Sequence, residues 1–495
     1  MDRVAAERGI PGRLLMENAG RAAAAVVDRL FPRGRVVALV GSGNNGGDAL
    51  VMLRALRTWG REVAYVPVGS RDPDLSLLHG YDIPRVDAVH AARVLPAVEL
   101  VVDGVLGTGA TGAPRDGAAR AIEWINASGR PVISLDIPSG VDATTGQVPA
   151  AAVAADVTVT FGWPKRGLLL HPGRSYCGRI IAVEIGFPPW PLEQPAGAEL
   201  VTPAWAAARL TARPANAHKG TAGRLLILAG SAGMAGAAAL SAHAAVRAGT
   251  GLVRVASPGP NRVVLQTYVP EAIFVDRDNH ASLVAACPDA SAVVAGPGLG
   301  RDGNALSALE RVLEVTTGRP TLLDADALNL LSPADGRLLR VSSSRPLVLT
   351  PHPGEMSRLT GASVDDILAS PIEAAESLAN ALKCTVLLKG APSVVASPGE
   401  AVLVNTVGSS DLAKAGMGDQ LAGVIGAFLA GGVPARDAAA AGLYFSGRAA
   451  DLAHMGRALS PEDVTAALDQ AFRSPGASES PLALPFITFD QPARR

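Results

Sequence analysis

The sequence predicts an α/β protein with largely parallel sheets. Apolar, β-branched runs alternate with Ala- and Leu-rich helical stretches along the chain, and this is the pattern of parallel strands joined by crossover helices. With 495 residues, 48% of them hydrophobic and 18% charged, the chain can bury more than one core. Prolines cluster near residues 188 to 202, which predicts a domain edge. We therefore expect a first domain over 1–196, a second over 200–475 and a tail over 476–495.

The strand-like runs can be placed in chain order. In the first domain they are RVVALV, REVAYVPV, LVVDGV, RPVISLDIP and DVTVTFG. In the second they are GRLLILAG, GLVRVASP, SAVVAGPG, RPTLLDAD, RPLVLTPHPGE and TVLLKGAP. Most are separated by stretches long enough for a helix, as doubly wound sheets require. The proline-rich tail shows no such pattern, so we expect a loosely packed extension.

The composition limits the classes of partner. A formal net charge of −1 supplies neither a basic surface for nucleic acid nor a polybasic segment for a membrane. Three widely spaced cysteines do not form a disulfide framework. Neither a signal peptide nor a membrane-length apolar helix is apparent. We expect a soluble cytoplasmic protein, a homo-oligomer with small-molecule partners and no contact with nucleic acid or membrane.

The segment GSGNNGGDAL, residues 41–50, is the first candidate for a binding site. It follows the strand RVVALV and enters a helix, so backbone N–H groups at the helix start can bind a phosphate. It is not a Walker A motif, and its G-x-G-x-x-G spacing alone is a weak signal. Two further strands end on Asp103 and on Asp136, the latter followed by Ser139. Because the carboxyl ends of parallel strands share one edge, these side chains should lie close together. We expect them to form a site for a phosphate-bearing ligand and a bound cation, in which one carboxylate is available for proton transfer. Each aspartate alone could instead cap a helix.

Lysine is rare in this chain, which has only five among its 44 basic Lys and Arg residues. Four of them, Lys165, Lys219, Lys389 and Lys414, lie in Gly- or Pro-flanked segments, whereas Lys383 lies in a helical stretch. The compact lysine ammonium reaches phosphates as a point charge. We therefore expect Lys219 or Lys389 to approach a phosphate, although chance placement remains an alternative.

The segment LAKAGMGDQLAGVIGAFL in the second domain places a glycine-rich turn directly before a long helix, with Asp419 in its first turn. Backbone N–H groups of residues 416–418 can stabilise a phosphoryl group in transfer, and the carboxylate can accept a hydroxyl proton. His352 stands between prolines beside Glu355 and can be a ligand contact or a structural histidine. Asp324 and Asp326 can be site residues or helix caps.

GSGNNGGDAL, VVDGVLGTG and SLDIPSGVDATTG together resemble the epimerase domain of the bifunctional NAD(P)H-hydrate repair enzymes, over about residues 1–195. The resemblance implies a Rossmann-like α/β/α domain with Asp136 as the catalytic group. It implies a K⁺ ion held by Asn45, Asp103 and Ser139. The implied substrate contacts are Asn44, Asn45, Gly46, Gly47, Asp48, Gly107, Thr108, Gly109, Ala110, Thr111, Gly112, Ala113 and Asp136.

NAHKGTAGRLLILAGSAGMAGAAAL, AGPGLG, LLDADALNLL and LTPHPGEMSRL, with the A-G-x-G-D turn, resemble the ribokinase-like ADP- or ATP-dependent NAD(P)H-hydrate dehydratases. The resemblance covers about residues 203–470 and implies Asp419 as the catalytic base, with Mg²⁺ accompanying ADP or ATP. Implied contacts with the hydrated cofactor are Ala237, Gly298, His352 and Asp419. Implied nucleotide contacts are Lys389, Gly390, Ala391, Pro392, Ser393 and Gly418.

The function implied by both resemblances is the repair of hydrated NADH and NADPH. The first domain would interconvert the R and S hydrates, and the second would dehydrate the S form at the expense of ADP or ATP. Two alternatives remain at this point: a ribokinase-like small-molecule kinase whose product keeps the phosphate, and a first domain that binds without catalysing. The choices between ADP and ATP and between NADH and NADPH hydrates stay open.

Overall fold

The structure is a computed structural model that describes residues 1–69, 71–190, 197–210, 215–216, 218–331, 336–477 and 480–493. The chain forms two compact units. The first consists of residues 1–194 together with 478–495, and the second of residues 195–477.

The first unit contains a parallel sheet with helices on both faces. Its strands are β1 (Val36–Val40), β2 (Val63–Pro67), β3 (Leu100–Gly104), β4 (Val132–Leu135), β5 (Val157–Phe161) and β6 (Arg179–Val183). Its helices are α1 (Asp2–Glu7), α2 (Gly12–Leu30), α3 (Asn44–Thr58), α4 (Ala91–Val94) and α5 (Asp116–Ala127). The parallel strand order is β6-β5-β4-β3-β1-β2. The five predicted strands are confirmed, whereas β6 was not predicted.

Alternation along the central strand explains the two layers of helices. Val36, Ala38 and Val40 of β1 pack into one apolar cluster, which includes residues of α2 and α3. Val37 and Leu39 pack into a second cluster, which includes residues of α5. Successive side chains of a strand point to opposite faces, so a fully apolar strand needs cover on both sides. The sheet is therefore buried between two helical layers.

The second unit contains a larger, mostly parallel sheet. Its strands are β7 (Ala198–Leu200), β8 (Arg224–Leu228), β9 (Leu252–Ser257), β10 (Ile273–Asp276), β11 (Ala292–Ala295), β12 (Thr321–Leu323), β13 (Leu347–Leu349), β14 (Thr385–Leu388), β15 (Ser393–Ala396) and β16 (Val402–Asn405). The strand order is β10-β9-β8-β11-β12-β13-β14-β15-β16-β7, antiparallel only between β14 and β15 and between β15 and β16. The six predicted strands are confirmed, and the structure adds β7, β10, β15 and β16.

The helices of the second unit cover this sheet. They are α6 (Pro203–Ala207), α7 (Ala235–Arg247), α8 (Arg262–Tyr268), α9 (His280–Ala286), α10 (Gly303–Val315), α11 (Asp326–Leu330), α12 (Arg337–Ser343), α13 (Pro353–Thr360), α14 (Val364–Ala369), α15 (Pro371–Leu382), α16 (Met417–Ala430), α17 (Ala435–Ala453) and α18 (Pro461–Arg473).

Helix α16 is largely buried and lies close to its neighbours. A Cβ on Gly423 would lie 2.1 Å from the Ser241 carbonyl oxygen of α7, and one on Gly426 would lie 2.5 Å from the Val294 side chain of β11. Glycine at these two positions lets the helix pack closely against α7 and the sheet. Within the described ranges no helix is both long and apolar enough to cross a membrane.

The tail does not pack loosely, so that prediction was wrong. Its residues Ile487–Gln491 form β17, which pairs antiparallel with β6 at the edge of the first sheet. The Arg179 guanidinium donates to both carboxylate oxygens of Asp490, at 2.7 and 2.6 Å. A strand edge has unpaired N–H and C=O groups that another strand can satisfy. The returning tail supplies that strand.

The predicted domain edge near residues 188–202 falls partly on residues 191–196, which lie outside the described residues. Beyond them, Ala198–Leu200 forms β7, which pairs with β16 of the second sheet. The proline-rich segment therefore ends in a strand of the second unit.

Candidate functional sites

The segment after β1 is a short turn followed at once by a helix. Gly43 caps α3, so Asn44 to Asp48 lie in its first turns rather than in an extended loop. A Cβ on Gly46 would lie 1.9 Å from the Gly41 carbonyl oxygen, and one on Gly41 would lie 2.1 Å from the Val105 carbonyl oxygen. These contacts require glycine and bring the helix N-terminus against the end of β3.

Asn45, Asp103 and Ser139 converge around the backbone of Leu106. The Asn45 Nδ2 donates to the Leu106 carbonyl oxygen at 2.8 Å, and the Leu106 N–H donates to Ser139 Oγ at 2.9 Å. Ser139 Oγ in turn donates to Asp103 Oδ1 at 2.6 Å. The structure thus brings together the three side chains that the resemblance assigns to a cation.

Asp103 is a fully buried carboxylate with four hydrogen-bond donors. They are the backbone N–H groups of Val105 (3.2 Å) and Ser139 (2.8 Å) and the hydroxyls of Ser134 (2.9 Å) and Ser139. Burial raises the pKa of Asp103, and the hydrogen bonds from Ser139, Ser134 and Val105 oppose that rise. The nearby amide oxygen of Asn45, Oδ1, is buried without a hydrogen-bond partner in the described residues.

A cavity of about 1420 Å³ opens at this edge of the first sheet. Several predicted substrate contacts line it: Asn44, Asn45, Asp48, Gly107, Thr108, Gly109, Ala110 and Asp136. Gly46, Gly47, Thr111, Gly112 and Ala113 lie outside its lining, as do the buried Asp103 and Ser139. Burial and the neighbouring Asp136 hold the pKa of Asp48 well above its ordinary value. The cavity has room for a dinucleotide.

Asp136 directly follows β4 with a φ of +63°. A left-handed conformation is strained for a residue other than glycine and is typical of functional positions. Its Oδ1 accepts from the N–H of Phe161 at 3.2 Å and forms an ion pair with Lys165. Asp136 and Lys165 both line the cavity.

Lys165, Trp163 and Phe187 also line the cavity. Trp163 stacks on Phe187, with ring centroids 5.7 Å apart and planes 10° apart. Of these three residues the sequence singled out Lys165, as one of the scarce lysines in Gly- or Pro-flanked segments, but gave it no role in this site. The aromatic pair has no comparable signal, because Phe187 lies beyond β6 and only the fold brings it to Trp163.

In the second unit, Asp419 lies in the first turn of α16, which Gly416 caps with a φ of +85°. Burial and the neighbouring carboxylate of Asp324 raise the pKa of Asp419 to about 6, and Lys389 opposes this rise. A general base works best with a pKa near the working pH, so this environment suits Asp419 to proton abstraction. Ser241 Oγ donates to the Asp419 carbonyl oxygen at 2.8 Å and anchors the turn.

Lys389, at the start of the turn between β14 and β15, lies close to the first turn of α16. Its Nζ donates to Asp324 Oδ1 at 2.6 Å, and Thr350 Oγ1 donates to the same oxygen at 2.7 Å. A Cβ on Gly418 would lie 3.3 Å from Lys389 Nζ. Asp324 therefore lies beside Lys389 and Asp419, whereas Asp326 accepts from the Gly300 N–H at 3.0 Å and holds the neighbouring turn.

Most of the other residues that the resemblance assigned to this unit lie in the turns after β11 and β14, and Ala237 lies in the first turn of helix α7. Gly298 lies against Ala237, since a Cβ on Gly298 would be 2.8 Å from the Ala237 Cβ. Ser393 Oγ accepts from the Gly390 N–H at 3.1 Å and closes the turn that also contains Ala391 and Pro392.

His352 caps helix α13. Its Nδ1 accepts from the N–H groups of Gly354 and Glu355 at 3.0 and 3.3 Å, and Glu355 completes the capping box. The preceding residue, Pro351, accepts from the Lys389 N–H at 2.9 Å. His352 thus has a structural role in the described contacts, beside the hairpin that carries Lys389.

The structure also places the remaining lysines of the second unit. Lys414 donates to the carbonyl oxygens of Arg457 and Leu459, the latter at 2.8 Å, so it ties the turn to the segment before α18. Lys383 is not inside a helix but is the C-cap of α15, with a φ of +52°. The Lys219 side chain is exposed.

The two units define an α/β protein with a candidate site at the sheet edge of each. In the first unit the site is a cavity lined by Asp136 and Lys165. In the second it is the N-terminus of α16, where burial raises the pKa of Asp419. Residues 12–167 match the family described as YjeF-related protein N-terminus, and residues 225–470 match the family described as NAD(P)H-hydrate dehydratase. The chain belongs to the bifunctional NAD(P)H-hydrate repair enzyme family.

Similarity to the relatives extends over both units. The chain is 36% identical to the bifunctional NAD(P)H-hydrate repair enzyme of Moorella thermoacetica over 480 residues, 91% of this chain and 90% of the relative. It is 36% identical to the Escherichia coli enzyme over 444 residues, 88% and 84% of the two chains. A ribokinase-like superfamily protein from Enterococcus faecalis aligns at a TM-score of 0.52 and 26% identity, covering 58% of this chain and 98% of that one. The ribokinase-like fold predicted for the second unit is confirmed.

Proposed function

We propose that this chain repairs hydrated NADH and NADPH with two activities. The first unit interconverts the R and S hydrates, and we assign this epimerase to residues 1–196 with the returning strand β17. The second unit, which we assign to residues 200–475, dehydrates the S form at the expense of ADP or ATP. The observation that carries the proposal is the pairing, in one chain of this family, of a dinucleotide-sized cavity containing Asp136 with Asp419 at the start of α16.

Epimerisation requires only that a hydroxyl leaves and returns at C6 of the reduced ring. The adjacent ring nitrogen stabilises the iminium-like species formed when the hydroxyl departs, so the protein needs to move protons rather than form a covalent bond. Asp136 is the carboxylate placed to do so, since it lines the cavity and is held by Lys165 and the Phe161 N–H. Asn44, Asn45 and the start of α3 lie where they can bind the phosphate-bearing part.

A potassium ion fits the cluster around Leu106. The Asn45 Oδ1 is buried and unpartnered among the described residues, and Asp103 is a buried carboxylate with no basic partner among its described contacts. Asn45, Asp103 and Ser139 supply oxygen atoms rather than the carboxylate cluster typical of Ca²⁺. When bound, the cation would offset the repulsion between the buried carboxylates and an anionic substrate.

Dehydration requires a better leaving group than hydroxide. Asp419 takes the proton of the hydroxyl of the S hydrate while the terminal phosphoryl group of the nucleotide is transferred to the hydroxyl oxygen. The N-terminus of α16 stabilises the negative charge that develops on the phosphoryl group. The C6–O bond then breaks with electrons from the ring nitrogen, phosphate departs, and loss of a ring proton restores NAD(P)H. Lys389 and Gly418 lie beside Asp419 where the phosphates would approach.

A magnesium ion would arrive bound to the nucleotide. In the described parts of the chain no group of three or more His, Cys, Asp and Glu side chains is arranged to hold a metal. We infer that the nucleotide phosphates would provide most of its ligands, as is usual for Mg²⁺ at phosphoryl-transfer sites.

The proposal is tested by incubating the full chain with a mixture of R and S hydrates and either ADP or ATP. Full recovery of absorbance at 340 nm with release of inorganic phosphate is expected. Recovery of NAD(P)H from the S hydrate alone would contradict the proposed epimerase activity. A product that keeps the transferred phosphate would instead identify a small-molecule kinase.

A further inference from the structure

The loop after β5 carries two cavity-lining side chains to which neither the family resemblance nor the relatives assign a role, Trp163 and Lys165. Lys165 is one of the five lysines in the chain and is only partly exposed, with 21% of its side-chain surface accessible. Burying an ammonium is costly unless its donors are satisfied. The hydrogen-bond partners of Lys165 therefore indicate its role in the cavity.

All three N–H donors of the Lys165 ammonium have partners. They are Oδ1 of Asp136, Oγ1 of Thr160 at 3.1 Å and the carbonyl oxygen of Phe161 at 2.8 Å. An ammonium has three donors and no acceptor, so this one has none left for a substrate phosphate. Lys165 is thus directed at Asp136 rather than at the ligand.

The hydrogen bonds to Asp136 are unequally divided between its oxygens. Lys165, the Phe161 N–H at 3.2 Å and the Thr160 hydroxyl at 3.4 Å all reach Oδ1. From the described part of the chain, Oδ2 receives none. One oxygen is fixed by three donors and the other has no described donor, in a carboxylate that lines the cavity. This arrangement suits a carboxylate that exchanges a proton with a bound molecule.

We propose that Lys165 is a positioning residue for the epimerase: it fixes Oδ1 of Asp136 so that Oδ2 serves as the proton-transfer atom. This inference depends on the proposed epimerase activity of the first unit. Lys165 does not touch the reacting atoms and acts through Asp136. Its loss should therefore lower kcat more than it changes the KM for the hydrates.

The test uses the full chain with Lys165→Ala and Lys165→Arg, and R-to-S exchange is followed chromatographically without nucleotide. Lys165→Ala should lower kcat about 100-fold with KM within about twofold of the wild-type value, and Lys165→Arg should recover part of the loss. Ethylammonium added to Lys165→Ala should restore the rate at least about tenfold, because it can occupy the vacated position beside Asp136. A merely structural lysine would not be replaced by a free amine.

Dehydration of pure S hydrate by the second unit reports that each variant is folded and active. A kcat for exchange within about threefold of the wild-type value in Lys165→Ala, or a loss that ethylammonium does not rescue, would overturn the inference alone. No exchange in the wild-type chain would overturn the proposed epimerase, and the role of Lys165 with it.

The aromatic pair supports a second inference independently. Trp163 is 46% exposed although it lines the cavity, and one face is supported by the stacked Phe187 ring. Trp190 contacts the Trp163 ring edge-on, with centroids 5.8 Å apart. A large apolar ring held rigidly at a cavity wall marks a binding surface. We infer that Trp163 stacks against a planar ring of the bound dinucleotide, an interaction that also rests on the proposed function.

The matched variants are Trp163→Ala, Trp163→Phe and, as a control, Trp59→Ala, since Trp59 is 44% exposed and lies outside the cavity lining. Trp163→Ala should raise the KM of exchange about tenfold with kcat little changed, while Trp163→Phe and Trp59→Ala stay within about threefold of wild type. An unchanged KM in Trp163→Ala would overturn the stacking role. Absence of exchange in the wild-type chain would again be a failure of the proposed function itself.

Discussion

Asp419 shows how one side chain acquires its chemistry from its surroundings. Burial and the Asp324 carboxylate raise its pKa to about 6, and the Lys389 ammonium limits that rise. In the proposed mechanism the free carboxylate of Asp419 is the base, so dehydration would require its deprotonated form. The same environment that makes Asp419 a stronger base also limits the pH range in which it works.

The first prediction concerns that pH range. Because protonated Asp419 cannot accept a proton, kcat/KM for dehydration should rise about tenfold per pH unit below about 6 and level off above it. The profile is measured from initial rates with S hydrate and nucleotide both limiting. A flat profile between pH 5 and pH 7 would exclude Asp419 as the base with this environment.

The second prediction separates the two sites. Asp419→Ala should abolish nucleotide-dependent recovery of NADH while R-to-S exchange continues at the wild-type rate, since Asp419 and Asp136 belong to different units. Both reactions are followed on the same preparation, so retained exchange also shows that the variant folded. Loss of both activities from a folded variant would contradict the two-site assignment.

Lys389 gives the third prediction. Its compact ammonium fits between Asp324 and the turn at Gly418, where a broad guanidinium would crowd the N-terminus of α16. Lys389→Arg should therefore slow dehydration about tenfold, roughly 1.4 kcal/mol. Lys383→Arg is the control, since Lys383 is an exposed helix C-cap. Equal kinetics for the two variants at saturating and limiting nucleotide would contradict a role of Lys389 in the nucleotide site.

At the scale of secondary-structure elements, strand β17 makes the tail part of the first unit. It completes the edge of the sheet beyond β6, and the Arg179–Asp490 pair holds it there with two hydrogen bonds in a partly buried position. The hydrogen bond to Asp490 raises the pKa of Arg179, so the pair favours the charged guanidinium. The tail is thus part of the fold of the first unit.

The fourth prediction follows from this pair. Asp490→Ala leaves Arg179 without its carboxylate and should destabilise the first unit by about 2 kcal/mol, seen as a lower midpoint for its thermal transition in calorimetry. Asp469→Ala is the control because the Arg473–Asp469 pair is exposed on α18 and should contribute little. A midpoint unaltered by Asp490→Ala would show that the Arg179–Asp490 pair is not needed for the stability of this unit.

At the scale of the whole molecule, the fusion of two activities has a chemical reason. A dehydratase that accepts one epimer would leave the other unrepaired, so the epimerase supplies its substrate. The two sites also differ in composition, since the first unit places the unpartnered amide oxygen of Asn45 near the buried carboxylate of Asp103, and we propose that these atoms bind a cation.

The fifth prediction is therefore a potassium requirement restricted to one reaction. Epimerisation by the full chain should fall at least about tenfold when K⁺ is replaced by tetramethylammonium at constant ionic strength, because Asn45, Asp103 and Ser139 then lose their cation. Dehydration of pure S hydrate under identical conditions shows whether the effect is specific. Equal exchange rates in both buffers would contradict a cation at this cluster.

The sequence by itself determined the fold class, most of the strands, and both candidate catalytic residues. It could do so because these features are local. Apolar runs specify buried strands, and glycines such as Gly41 and Gly46 are required by contacts between adjacent segments. In a parallel sheet, polar residues at successive strand ends must also meet at one edge, which is why Asn45, Asp103 and Ser139 were expected together.

Only the tertiary structure decided which distant residues became partners. Arg179 and Asp490 are 311 positions apart, and no local pattern records that the tail would pair with the free edge of β6. Lys165 and Lys414 look alike in sequence, yet one ammonium points at Asp136 and the other at backbone carbonyl groups of a neighbouring segment. The physical reason is that a side chain's partners depend on which donors and acceptors the completed fold leaves unsatisfied near it, and this is a property of the packed chain rather than of any short segment.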